Sequence, residues 1–195
     1  LSRRIPASFL PLSVDGIFAS ATQVRRFAYL CVVPSRIVAA DGSCALTAIA
    51  IADCIAIARG EKTLLPVRHD KRIDGPVYRY GGLTDLLRSE LGDHLIPYWF
   101  NSRSPEYCEE SSEQFEQRAM APIYEMIGMD GLSLVVAGEE LLILLHALAV
   151  QGEWCGGISY EWTPKPNHGV LITEIRDNYP RGYDVLPDLT FFGRQ

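Results

Sequence analysis

The sequence predicts an α+β fold, and three observations predict it. Residues 27–40 (FAYLCVVPSRIVAA) are rich in β-branched and aromatic side chains. A helix opening at Cys44 is apolar on nearly every side. Two strand-like segments, 154–162 and 168–175, flank a Pro-rich turn near the C-terminal end. Extended segment, buried helix, variable helical middle, apolar helix and paired strands follow one another along the chain, the order of a segregated α+β plan.

Each element has its own signal. Pro34 breaks the first run into one or two extended pieces. Asp41-Gly42-Ser43 is turn chemistry, and from Cys44 to residue 58 the only charge is Asp53, so the helix is expected to be buried all round. Gly60 ends it, with Arg59 beside its last carbonyls. Residues 61–80 mix charges with Pro66, Gly75 and Pro76 and read as a surface excursion. Thr84 is placed to cap a helix over 85–91, and the aromatic cluster 96–100 (IPYWF) reads as extended. Ser111 and Gln114 have capping-box spacing for a helix running towards Ile127, with an irregularity expected at Pro122. A second apolar helix over 139–150 carries two acidic residues in its first turn. Residues 176–195 read as loop, with a short last strand at 189–192.

Composition narrows the function classes. The chain has 195 residues, 48% hydrophobic and 22% charged, which suits one globular domain spanning 1–195. A formal charge of −6 leaves no cationic surplus for a nucleic acid. No stretch of eighteen uncharged apolar residues is present, so no membrane span is expected. Five cysteines without a CxxC pair point to a reducing compartment rather than a disulfide scaffold or a structural zinc site. A chain opening on Leu1 reads as a product excised from a longer polypeptide.

Cys44 is the strongest nucleophile candidate. It stands at the first turn of a helix, where unpaired N–H groups and the dipole favour a thiolate, and Gly42 lets the backbone turn tightly before it. Cys54 lies inside the apolar helix, Cys31 in an apolar run, Cys108 beside Glu109, and Cys155 in EWCGG with no helix behind it. Among histidines, His168 opens a strand after a Pro-rich turn, His146 lies within an apolar helix, His94 follows Gly92-Asp93, and His69 in RHDKR reads as solvated.

At DGSCALTAIA, residues 41–50, the sequence resembles the ovarian-tumour (OTU) family of cysteine proteases, whose DG-x-C motif opens a buried helix. The helix at 138–149, the strand at 154–162 and NHGVLI at 167–172 extend the resemblance over a core of about 37–175. It implies a papain-like cysteine protease fold of OTU type, a small sheet packed against helices with the nucleophile on the buried helix. It also implies Cys44 as nucleophile, His168 as general base, and Asp41 as third catalytic residue, with Asn167, Glu174 and Asp177 as alternatives for that role.

The activity so implied is deubiquitination. The thiolate would cleave the isopeptide or peptide bond after the Gly-Gly tail of ubiquitin or a ubiquitin-like protein through a thioester, with no metal or organic cofactor. Gly42, Asn167, Trp154, Tyr160 and Trp162 would line the tail channel. Ser43, Ala45-Leu46 and the Gly169-Val170 pair after His168 depart from the family pattern and suggest a divergent viral or bacterial-effector lineage acting in the cytosol. Two alternatives are a papain-like protease that cleaves only its own polyprotein and a catalytically inactive interaction domain.

Overall fold

Strand β1 (Arg36–Ala39) carries apolar side chains on both of its faces, and the architecture follows from that. Because neighbouring residues of a strand point to opposite faces, Ile37 and Ala39 enter one core and Val38, continued by Ala40, enters another. A strand buried on both faces belongs at the centre of a covered sheet. In the computed structural model, which describes residues 34–79, 89–92, 95–102, 108–150, 169–177 and 179–185, β1 occupies that position. It pairs in parallel with β2 (Val67–His69) on one side and with β3 (Ser133–Val136) on the other. The register sets Ala39 opposite His69 and Val136.

Helix α1 (Ser43–Arg59) crosses one face of this sheet between β1 and β2. Ala48, Ile51, Ala52 and Ile55, at helical spacing, meet Ile37 and Ala39 of β1 with Leu134 and Val136 of β3. Gly60 closes the helix in the left-handed region (φ 66°), its N–H donating to the Ile57 carbonyl while the Glu61 N–H donates to Ala56, the paired bonds of a Schellman motif.

The opposite face is covered by α2 (Leu95–Ser102), α3 (Ser112–Ile127) and α4 (Glu139–Ala149). Their core is aromatic at one end, where the rings of Trp99, Phe100 and Phe115 lie 4.8–5.9 Å apart in tilted and edge-on pairs. Leu141, Leu144 and Leu148 bring α4 into the same cluster. The Ser111–Gln114 capping box forms as the sequence predicts, and Pro122 is accommodated within α3. An antiparallel hairpin, β4 (Gly169–Arg176) and β5 (Tyr179–Val185), packs on α4. Gly182 is required there, since a Cβ at that position would collide with the Leu171 carbonyl.

The architecture corrects the α+β, papain-like expectation. Strands alternate with helices, the three-stranded sheet is parallel, and helices lie on both faces, which is an α/β arrangement. Residues 96–100 are helical rather than extended, because Leu95, Ile96, Trp99 and Phe100 form a helical stripe facing the core. The 61–80 segment contributes β2, and β4 pairs with β5 from the segment read as loop. The expected strand at 154–162 and the short strand at 189–192 lie outside the described residues. Nor is α1 buried all round: Leu46, Ile49 and Ile57 are half or more exposed on its outer side. No helix among the described residues is long and apolar enough to cross a membrane.

The two sides of α1 should therefore respond differently to substitution. Ile55→Ala is expected to cost about 2–5 kcal/mol in chemical denaturation, as a fully buried aliphatic truncation does. Ile49→Lys should stay within about 0.5 kcal/mol of the parent.

Candidate active site

All three strands of the sheet end on one edge, and their following loops leave in opposite directions. The chain after β1 rises to α1 on one face, whereas the chains after β2 and β3 lead into the cluster on the other face. Adjacent strands whose loops part in this way leave a crevice beyond their carboxyl ends, where α/β proteins bind ligands. Asp41, Gly42 and Cys44 border it from β1, His69 and Asp74 from β2, and Glu139 and Glu140 from β3.

Gly42 makes the turn into α1 with φ 70°, ψ −126°, a conformation that favours glycine. A side chain there would meet nothing within 4 Å, so the loop borders open space. Helix α1 has no side-chain cap and no acidic residue in its first turn. Its first intrahelical bond is from the Leu46 N–H to the Gly42 carbonyl, so the preceding N–H groups have no partner within the helix.

Asp74 ties the two neighbouring loops together. Its Oδ1 accepts the Asp41 N–H at 2.8 Å and lies 3.2 Å from His69 Nε2. A neutral imidazole in this contact carries its proton on Nε2, which leaves the Nδ1 lone pair for chemistry. Asp41 Oδ1 accepts the Gly42 N–H at 2.8 Å. One ligand atom from each of Asp41, His69 and Asp74 lies within 4.8 Å of the others, so these are the described side chains able to share a metal ion.

The interior side of the crevice is apolar and acidic. Cys44 sits at the α1 N-terminus as the sequence predicts, but its electrostatics oppose a thiolate. Burial pushes its thiol up to about 11, a hydrogen bond with Ser43 offsets part of this, and the Glu140 and Asp74 carboxylates add to it. Glu140 is itself buried, and its Oε1 accepts the Tyr78 hydroxyl at 2.8 Å. Burial raises the Glu140 carboxyl above its ordinary value, against the lowering effect of its own backbone N–H and of Tyr78. Gly75 and Gly138 lie against its carboxylate, and a Cβ on Gly138 would sit 2.9 Å from Oε2.

The structure thus brings Asp41, Gly42 and Cys44 to one crevice. His168, Asn167, Trp154, Tyr160 and Trp162 lie outside the described residues. Sequence reasoning missed His69 and Asp74. A three-residue strand flanked by charges gives almost no periodic signal, and the segment read as a surface excursion in fact docks on the fold through the buried Ile73.

Two measurements check these electrostatics. Alkylation of Cys44 by iodoacetamide, followed by peptide mass spectrometry, should be slow at neutral pH and rise only towards pH about 11. The Glu140 carboxyl holds its proton more tightly in the folded than in the unfolded chain, so its contribution to stability is complete below about pH 4.5 and is lost as pH rises towards the raised folded value. Glu140→Gln should flatten that decline in urea titrations across pH.

No family model matches the chain, and no curated protein does. Among solved structures it is similar to the native mycobacterial glucosyl-3-phosphoglycerate phosphatase, with a TM-score of 0.59 and 16% identity over 92% of this chain and 87% of that one. The same phosphatase complexed with VO3 gives 0.58 and 16%, covering 92% and 86%. A protein described as mycobacterial hydrolase 1 gives 0.55 and 17%, covering 90% and 84%. These likenesses overturn the OTU resemblance and what it implied: the cysteine-protease activity, the deubiquitinase role, and the ubiquitin tail or own polyprotein as partner. The DG-x-C turn is here the β1–α1 connection of a parallel sheet, and the fold is similar to that of these solved structures.

Proposed function

We propose that this chain is a hydrolase of small phosphate esters, working at the carboxyl edge of its sheet. The observation that carries the reading is the side-by-side arrangement of an uncapped α1 N-terminus and a carboxylate-oriented imidazole, His69 with Asp74, within a phosphatase-like fold. A helix N-terminus offers N–H groups and a positive dipole end to a phosphate, and Gly42 leaves room for one to approach. Arg68 and Lys71, exposed on either side of His69 and Asp70 along the chain, add positive charge to the same loop.

Asp74 fixes the ring of His69 and stabilises the imidazolium that forms when Nδ1 accepts a proton. Nδ1 takes that proton from a water molecule as its oxygen bonds to phosphorus, and the ester P–O bond breaks. The departing alkoxide takes its proton from solvent and the imidazolium gives its own to solvent, so the dyad ends as it began. Cys44, held as a neutral thiol, serves as a wall of the crevice. The phosphatase similar to this chain is described as acting on a glucosyl phosphoglycerate, so phosphorylated sugars and glycerates are the first substrates to try.

The test is release of phosphate from p-nitrophenyl phosphate and a panel of sugar and glycerate phosphates by the purified chain. His69→Ala should lower kcat/KM by about 100-fold or more, in the range typical of a lost general base. Asp74→Asn should lower it by about 10–100-fold, as loss of an orienting partner does. Hydrolysis that His69→Ala leaves unchanged would overturn the proposal.

A further inference from the structure

Three carbonyls of the turn that carries Asp74 are gathered from behind by one side chain. Asp70 begins it: its N–H donates to the Ala39 carbonyl at 3.1 Å and its Oδ1 accepts the Arg72 N–H at 2.9 Å. A 3-10 turn (Lys71–Ile73) follows, with Ile73 fully buried beneath it. The carbonyls of Lys71, Arg72 and Asp74 then all face outward to the same guanidinium nitrogen. Arg118 Nη1, on α3, lies 3.2, 2.8 and 3.0 Å from those oxygens.

Arg118 is in turn fixed in place. Its Nε donates to Glu110 Oε2 at 3.1 Å, its Nη2 pairs with Glu110 Oε1, and its guanidinium lies 5.1 Å from the Phe115 ring centroid. A second pair joins the same turn to the same helix, since the Arg72 guanidinium binds Glu125 at 2.6 and 2.9 Å. The carbonyl of Asp74 is thus pinned to α3 while its side chain reaches Asp41 and His69.

We infer that Arg118 is a positioning residue for the His69–Asp74 pair, setting the Asp74 carboxylate by holding the three turn carbonyls and never touching the substrate. The consequence for catalysis rests on the phosphatase reading; the consequence for the imidazole does not. A planar fork with five N–H groups can serve three carbonyls and a carboxylate together. An ammonium cannot span both sets, so Arg118→Lys is expected to keep the charge and lose the alignment. With Asp74 free to swing, His69 would sample both neutral tautomers instead of one.

The test is nitrogen NMR of the His69 ring in the intact chain, beside steady-state kinetics. In the parent, at a pH where the ring is neutral, the two nitrogens should give the well-separated signals of an Nε2–H tautomer. Arg118→Lys and Arg118→Met should move them towards an averaged pair, as Asp74→Asn should. Ser111→Ala, which weakens the start of the same helix without touching the turn, should leave them in place. The kinetic expectation is a fall in kcat of about 10-fold with KM little changed. Unchanged His69 signals in a folded Arg118→Lys chain would overturn the inference, and Arg118→Lys serves should Arg118→Met fail to fold. Shifted signals in a chain that hydrolyses no phosphate ester would keep the positioning role and overturn the phosphatase reading. Fixed signals with intact hydrolysis would do the reverse.

Discussion

The structure depends on β1 being paired in parallel on both sides. Parallel strands end on the same edge, so whatever polar groups follow them are gathered there without further design. Since both faces of β1 are committed to packing, through Ile37 and Ala39 on one side and Val38 on the other, its backbone can shift neither out of register nor out of plane without exposing apolar surface. The residues after its end inherit that rigidity. Asp41 and Gly42 are loop residues, yet they leave a strand anchored by two ladders, and the Asp41 N–H is fastened again by Asp74.

The crevice so formed has a wet side and a dry side. On the wet side His69 and Asp74 are both partly open to water. On the dry side Glu140, Tyr78 and Cys44 share a low-dielectric environment in which the Glu140 charge disfavours ionisation of Tyr78 and Cys44. Burial and the Glu140 charge raise both Tyr78 and Cys44, and burial raises Glu140 in return. Among the described residues, the charged groups that act on the Cys44 thiol are the Glu140 and Asp74 carboxylates, and they oppose its ionisation despite its place at a helix start. The helix dipole is worth about 0.3–1 kcal/mol at an exposed end, whereas burial of a thiol beside carboxylates works against ionisation more strongly.

Local chemistry was the legible part of the sequence. The Gly60 stop, the Ser111–Gln114 box and the Asp41-Gly42 turn into a helix are all written in adjacent residues, and all form. Partnership between distant segments was not legible. Strands β2 and β3 are three and four residues long, too short for a pattern of two to stand out from chance. The apolar sequence of α1 suggested burial on every side, but a helix covering one face of a sheet needs only one apolar stripe, and Leu46, Ile49 and Ile57 lie beyond it. The cluster IPYWF was misread because aromatic residues favour strands as isolated units, whereas Trp99 and Phe100 are held in a helix by their packing on Phe115.

The misassignment of function has the same physical root. A strand, a glycine in the left-handed region and the bare start of a helix form a general device for presenting backbone N–H groups to an anion. That device serves an oxyanion in acyl transfer as readily as a phosphate, so residues 41–44 fit either chemistry. What separates the two is the group that the rest of the fold delivers to the same crevice. Here β2 delivers an imidazole from the position facing Ala39, and the turn after it delivers the carboxylate that orients the ring. Cys44, which the motif singles out, is acted on among the described residues by the carboxylates of Glu140 and Asp74.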